Sequence, residues 1–189
     1  MRLFLAIDIN DQVRESIEKI QSKLKGDADF KKSDVKWVNP ELIHLTVKFL
    51  GEVKDILLPE VFTLVQNVCA NHGRFSLTIG GVGSFGGKSA RVIWVGTEQG
   101  SDKLKELAGD IEEAFAQAGW KEENRDFAGH LTLCRVNNPR AGYQLAEKIK
   151  DFKDFKAGTI DVERVCVYQS DLTQDGPIYT LLASYELEK

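Results

Sequence analysis

Ile43-His44-Leu45-Thr46-Val47-Lys48-Phe49-Leu50-Gly51 is a β-branched and aliphatic run, and its His-Leu-Thr triplet returns at His130-Leu131-Thr132. The chain has three histidines, and two of them stand in this repeat. In a strand of period two, His44 and Thr46 share one face, while Leu45, Val47 and Phe49 share the other. His130 and Thr132 share a face in the same way, with Leu131 and Leu133 turned towards a core. A single strand histidine is more often packed or hydrogen-bonded than catalytic. Core packing, however, gives no reason to repeat a polar pair. Displacement at phosphorus needs a base on the attacking side and an acid on the leaving side, and two imidazoles can take both roles at neutral pH. Threonine hydroxyls can donate to the non-bridging phosphoryl oxygens. Two such pairs facing each other across a cleft would make a site for phosphoryl chemistry.

Upstream of this stretch, Arg2 to Ile9 reads as an apolar strand. Asn10 or Asp11 offers a helix cap, followed by Val13, Ile17, Ile20 and Leu24 at helical spacing. A charged loop from Lys25 to Asp34 leads to Val35–Val38, and Asn39-Pro40 makes a turn into the His44 strand, which Gly51 ends. Downstream, Leu58, Val61, Phe62, Val65 and Val68 predict a second amphipathic helix, with His72 as a structural residue at its C-terminus. Phe75–Ile79 and Ala90–Gly96 read as strands. Between them, Gly81-Val82-Gly83-Ser84-Phe85-Gly86 matches a dinucleotide fingerprint by letter, but a strand follows where the fingerprint needs a helix. A P-loop reading of Gly87-Lys88-Ser89 would need glycine where Val82 stands. The segment 80–89 is therefore expected to be a flexible hairpin connection. Leu104, Leu107, Ile111 and Phe115 then predict a helix, the His130 strand follows, and Leu145, Ile149 and Phe152 line a last helix after Asn138-Pro139. Strands at Thr159–Gln169 and Ile178–Leu187, joined by a turn around Asp175-Gly176-Pro177, close the chain.

Each half thus runs strand, helix, His-strand, helix, strand. This order predicts an α+β fold in a single domain, 1–189, built by internal duplication of approximately 1–90 and 91–189. The expected architecture is bilobal: two pseudo-symmetric lobes of antiparallel β-sheet, helices on the outside, and the His-strands meeting at a central cleft.

Composition narrows the classes further. The 189 residues suit one sizeable domain or two tightly joined lobes, and 42% hydrophobic with 29% charged residues is ordinary for a soluble protein. No apolar run approaches a membrane span, and the N-terminus lacks a signal-peptide pattern. The three cysteines, Cys69, Cys134 and Cys166, have no metal-ligand spacing, which favours reduced thiols in a cytoplasm. A net charge of −4 argues against coating long nucleic acid but allows a small anion at a locally basic site. A catalytic zinc site would need a carboxylate or third imidazole beside the two histidines, so no metal and no other cofactor are expected.

At these residues the chain resembles the two-histidine (2H) phosphoesterase superfamily, and within it the RNA 2′,3′-cyclic phosphodiesterases, also called 2′–5′ RNA ligases. The resemblance rests on Arg2-Leu3-Phe4-Leu5-Ala6-Ile7, on Trp37-Val38-Asn39-Pro40 leading to His44–Gly51, and on Ala90-Arg91-Val92-Ile93-Trp94. It continues in His130-Leu131-Thr132-Leu133-Cys134-Arg135 and Tyr168-Gln169-Ser170. It implies a metal-independent enzyme that opens 2′,3′-cyclic phosphates on RNA ends or nucleotides to 2′-phosphates, some members also joining RNA ends through a 2′–5′ bond. It further implies His44 as proton donor and His130 as proton acceptor. Thr46, Thr132 and Arg135 would hold the phosphate, and Phe49 would pack near the ligand. Strict alternation sets Arg135 and Phe49 on the faces opposite their histidines, unless the strands end or bulge first. By the same parity Lys48 is a second candidate phosphate contact, and Cys134 a buried filler. A monomer is expected. A non-catalytic RNA-end-binding module and a 2H enzyme acting on another nucleotide, such as 2′–5′ oligoadenylate, remain open.

Overall fold

Asn10 separates the first strand, β1 (Arg2–Ile7), from the first helix, α1 (Asp11–Lys25): its side-chain oxygen accepts the Val13 N–H at 2.9 Å. Without it one of the unpaired donors of the first turn would lack a partner. Val13, Ile17, Ile20 and Leu24 are buried, as their spacing predicts. The computed structural model describes residues 1–26, 30–31, 33–174 and 176–188. Parts of the expected 25–34 loop, and Asp175 of the expected turn, lie outside the described residues.

The chain continues through β2 (Val35–Trp37), a 3₁₀ turn at Pro40–Leu42 capped by Asn39, and β3 (Leu45–Glu52). After α2 (Leu58–Cys69) come β4 (Phe75–Phe85), β5 (Val92–Thr97), α3 (Ser101–Gln117) and β6 (His130–Val136). Helix α4 (Pro139–Lys148) follows, capped by Asn138, then β7 (Lys156–Val162), β8 (Arg164–Thr173) and β9 (Gly176–Glu186). The strands form two antiparallel sheets, ordered β3-β1-β8-β9 and β2-β6-β5-β4-β7, with apolar faces covered by the helices. This is the expected α+β class.

Strand membership differs from two sequential lobes. β4, from the first half, lies in the second sheet between β5 and β7, while β8 and β9 complete the first sheet. The boundary near residue 90 is therefore a hairpin turn within one sheet. The expected strand Thr159–Gln169 is likewise two strands, which part at Glu163 as the chain passes from one sheet to the other.

The glycine-rich segment also departs from expectation. Gly80 to Phe85 extend β4, and only the short stretch from Gly86 to Arg91 forms the turn. The reason is the Trp94 ring on the neighbouring strand: a Cβ at Gly83, the register partner of Trp94, would stand 2.3 Å from its Cη2. Glycine keeps the strand in place here by letting a large ring lie across it.

Candidate active site

His44 follows the 3₁₀ turn and sits one residue ahead of β3, where Asn39 and Pro40 have turned the chain back onto the sheet. Its Nδ1 lies 2.9 Å from the Leu42 carbonyl oxygen. In the second sheet, His130 opens β6 with Nδ1 2.7 Å from the Ala128 carbonyl oxygen. A carbonyl only accepts, so in both rings Nδ1 carries the hydrogen and Nε2 is left as the proton-accepting or proton-donating atom. The two motifs thus fix the same tautomer by the same i−2 bond. β3 and β6 approach each other at the junction of the two sheets.

The motifs match beyond this bond. In the β1–β3 ladder Leu5 faces Lys48 and Ala6 faces Thr46, so Val47 is an extra residue. In the β5–β6 ladder Ile93 faces Cys134 and Trp94 faces Thr132, so Leu133 is an extra residue. Each bulge comes directly after the threonine and reverses the side-chain parity beyond it. Thr46 and Thr132 are half-buried beside their histidines, Val47-Lys48 and Leu133-Cys134 both turn inwards, and Phe49 and Arg135 come out on the histidine face. The Leu133 carbonyl freed by the bulge accepts from the buried Gln21 side chain at 3.0 Å and from the Val38 N–H at 2.9 Å. That satisfies a buried acceptor that the irregular ladder would leave without a full partner.

Lys48 is accordingly corrected. It is 7% exposed, turned away from His44, and its ammonium is paired with the Glu112 carboxylate of α3. Glu112 also accepts the Glu123 N–H at 2.9 Å, in the loop that leads to His130. Lys48→Met is expected to leave the Glu112 charge without its partner and to cost roughly 1–2 kcal/mol of stability, less than in a fully buried pair because Glu112 is partly solvated. KM should change little. Thermal unfolding combined with steady-state kinetics checks this, and a KM rise without a fall in Tm would restore Lys48 as a ligand contact. Cys134 is buried as expected, and burial pushes its thiol up to about 12, which rules it out as a thiolate nucleophile.

Rings surround both imidazoles, and this the sequence reading missed. Phe4 stacks on His44 with centroids 4.7 Å apart and 25° between planes, and Tyr168 stacks on the other side of Phe4 at 5.5 Å. Tyr179 meets His44 edge-on at 5.2 Å. His130 has Phe85 edge-on at 5.1 Å and Trp94 tilted at 6.3 Å. Four of these, Phe4, Phe85, Trp94 and Tyr168, stand in the stretches already quoted. Their alternation with buried neighbours was the available signal. Burial lowers the His44 pKa, and the Leu42 hydrogen bond and the Asp8 charge oppose that in part. Burial raises the Tyr179 hydroxyl pKa, and the charges of Arg135 and Arg2 oppose that in part.

Phe49 is 66% exposed beside a groove of about 320 Å³ that Trp120 and Lys121 also line. A larger hollow of about 480 Å³, between α2 and α3, contains His72 but neither histidine–threonine pair. His72 bonds Asp110 at 2.8 Å and joins the two helices, the structural role expected of it. Among the described residues, no three His, Cys, Asp or Glu side chains come together in a way that could hold a metal ion. Among the described residues no helix is long and apolar enough to cross a membrane.

Comparison with known proteins adds three findings. Residues 9–174 match the family model described as the 2′-5′ RNA ligase superfamily. An RNA 2′,3′-cyclic phosphodiesterase of Methanothermobacter thermautotrophicus is 34% identical over 188 residues, which cover 99% of each chain. The crystal structure of E. coli LigT complexed with 3′-AMP superposes with a TM-score of 0.77 at 27% identity, covering 100% of this chain and 98% of that one.

Proposed function

The chain belongs to the 2′-5′ RNA ligase superfamily, and from that premise we propose that it opens RNA 2′,3′-cyclic phosphodiesters to 2′-phosphomonoesters by acid–base catalysis between His44 and His130. The observation that carries the reading is the paired geometry: two imidazoles with Nδ1 held on an i−2 carbonyl, each followed by a threonine on the same face. In the proposed reaction His130 Nε2 takes a proton from water as its oxygen attacks phosphorus. The P–O3′ bond breaks, and His44 Nε2 delivers a proton to O3′. Thr46, Thr132 and Arg135 bind the phosphoryl oxygens, where negative charge is greatest in the transition state. A 5′-hydroxyl in the place of water would give a 2′–5′ phosphodiester by the same steps. The name of the M. thermautotrophicus relative supports the substrate class. LigT binding of 3′-AMP is compatible with a site that takes a nucleotide end.

The reaction is expected to need no divalent cation, since proton transfer and charge neutralisation are both assigned to side chains. Incubation of a 2′,3′-cyclic nucleotide with the protein in EDTA should yield the 2′-phosphate. A 3′-phosphate product would overturn the assignment of leaving group. Activity lost in EDTA and restored by zinc or manganese would overturn the acid–base reading. A panel that includes 2′–5′ oligoadenylate separates RNA ends from the other nucleotide substrates of a 2H enzyme.

A further inference from the structure

β1 ends with Ala6 opposite Thr46 and Ile7 opposite Leu45, so the register carries Asp8 to the position across from His44. Opposite residues of an antiparallel pair project to the same face, which here is the catalytic one. The Asp8 carboxylate is fixed there by the Tyr168 hydroxyl, which donates to it at 2.9 and 3.1 Å, and by the Cys166 thiol at 3.6 Å. Tyr168 also stacks on the Phe4 ring that stacks on His44, so one residue holds both the carboxylate and the aromatic support of the imidazole. Nothing comparable stands opposite His130, where the register partner is Gly96.

We propose that Asp8, held by Tyr168, is a positioning residue that keeps His44 in its protonated, donor-competent form. The proposal rests on the reading of His44 as the proton donor and identifies what offsets part of the burial of a ring packed among Phe4 and Tyr179. An imidazolium among aromatic rings loses solvation, and a carboxylate on the same face returns part of it. The Asp8 charge acts on His44 in this direction, against the dominant effect of burial. The other groups at this ring are the neutral Tyr179, edge-on at 5.2 Å, and the Leu42 carbonyl, whose hydrogen bond to Nδ1 also favours the imidazolium. Asp8 supplies the negative charge that acts beside that hydrogen bond. It also makes the two histidines unequal: the one with the carboxylate partner is suited to give a proton, the one without to take it.

The test is a direct NMR titration of the His44 ring in wild type, Asp8→Asn and Asp8→Glu, with resonances assigned by replacing each of the three histidines. Asp8→Asn keeps an acceptor for Tyr168 and removes the charge, so His44 should titrate at lower pH than in wild type, while Asp8→Glu should recover at least part of the difference. At pH 7, kcat for a 2′,3′-cyclic nucleotide should fall at least about threefold in Asp8→Asn, because less donor is protonated. Turnover of a nitrophenyl phosphodiester, whose leaving group needs no proton, should change less than twofold. An unshifted His44 titration in a folded Asp8→Asn protein overturns the proposal and leaves the role of His44 standing. Full activity in His44→Ala overturns the reading beneath it instead. Should Asp8→Asn not fold, Asp8→Ser takes the same measurement, with a hydroxyl to receive Tyr168.

Discussion

His130→Ala and His44→Ala should each lose on the order of 10²–10⁴-fold in kcat on a 2′,3′-cyclic nucleotide, the usual worth of a positioned proton-transfer group. The double variant should be far less than multiplicatively worse, because a base and an acid that act in one displacement lose their value together. The pH–rate profile of the wild type should be bell-shaped, with a limb for each member of the pair. Since burial lowers His44, one limb should fall below the ordinary histidine value of 6.5. A nitrophenyl phosphodiester separates the roles. With that leaving group His44→Ala should be largely spared, and His130→Ala should stay crippled. If His130→Ala is the one spared, acid and base exchange names. If neither variant loses activity on the cyclic nucleotide, the two-histidine chemistry is wrong; if the wild type binds the cyclic nucleotide and does not turn it over, the binding-module reading takes its place.

Arg135→Ala should lower kcat/KM by roughly tenfold or more, through loss of a charge-assisted contact to the phosphoryl group. Arg135→Lys should restore only part, since an ammonium cannot reproduce the two parallel bonds of a guanidinium. The geometry behind this expectation is the bulge at Leu133, which brings Arg135 onto the His130 face. The position that corresponds to it in the first motif is Phe49, brought out by the bulge at Val47. The two motifs are therefore symmetric in their histidines and threonines, but one carries a cation and the other an exposed ring. Phosphate charge belongs with the first, and a base or sugar face with the second. Unchanged kinetics in Arg135→Ala would assign the arginine to the surface and leave phosphate binding to Thr46 and Thr132.

Periodicity was enough to read the helices and most strands, because an amphipathic face depends on residues three, four or two apart in one segment. Val13, Ile17, Ile20 and Leu24 all fall on the buried side of α1 for that reason. The repeated His-x-Thr was equally local, and it located both candidate proton-transfer groups. What the sequence could not supply was decided by partners distant in the chain. The reach of β4 through its glycines depends on the Trp94 ring beside it. The membership of β8 and β9 in the first sheet depends on pairing with β1, more than 150 residues earlier. The parity of Lys48, Phe49, Cys134 and Arg135 turned on two bulges, each defined by a mismatch with the neighbouring strand. Alternation along a strand holds only while its ladder is regular, and that regularity is a property of two strands together. For the same reason the stack of His44, Phe4 and Tyr168, drawn from three strand segments, exists only once the first sheet has closed.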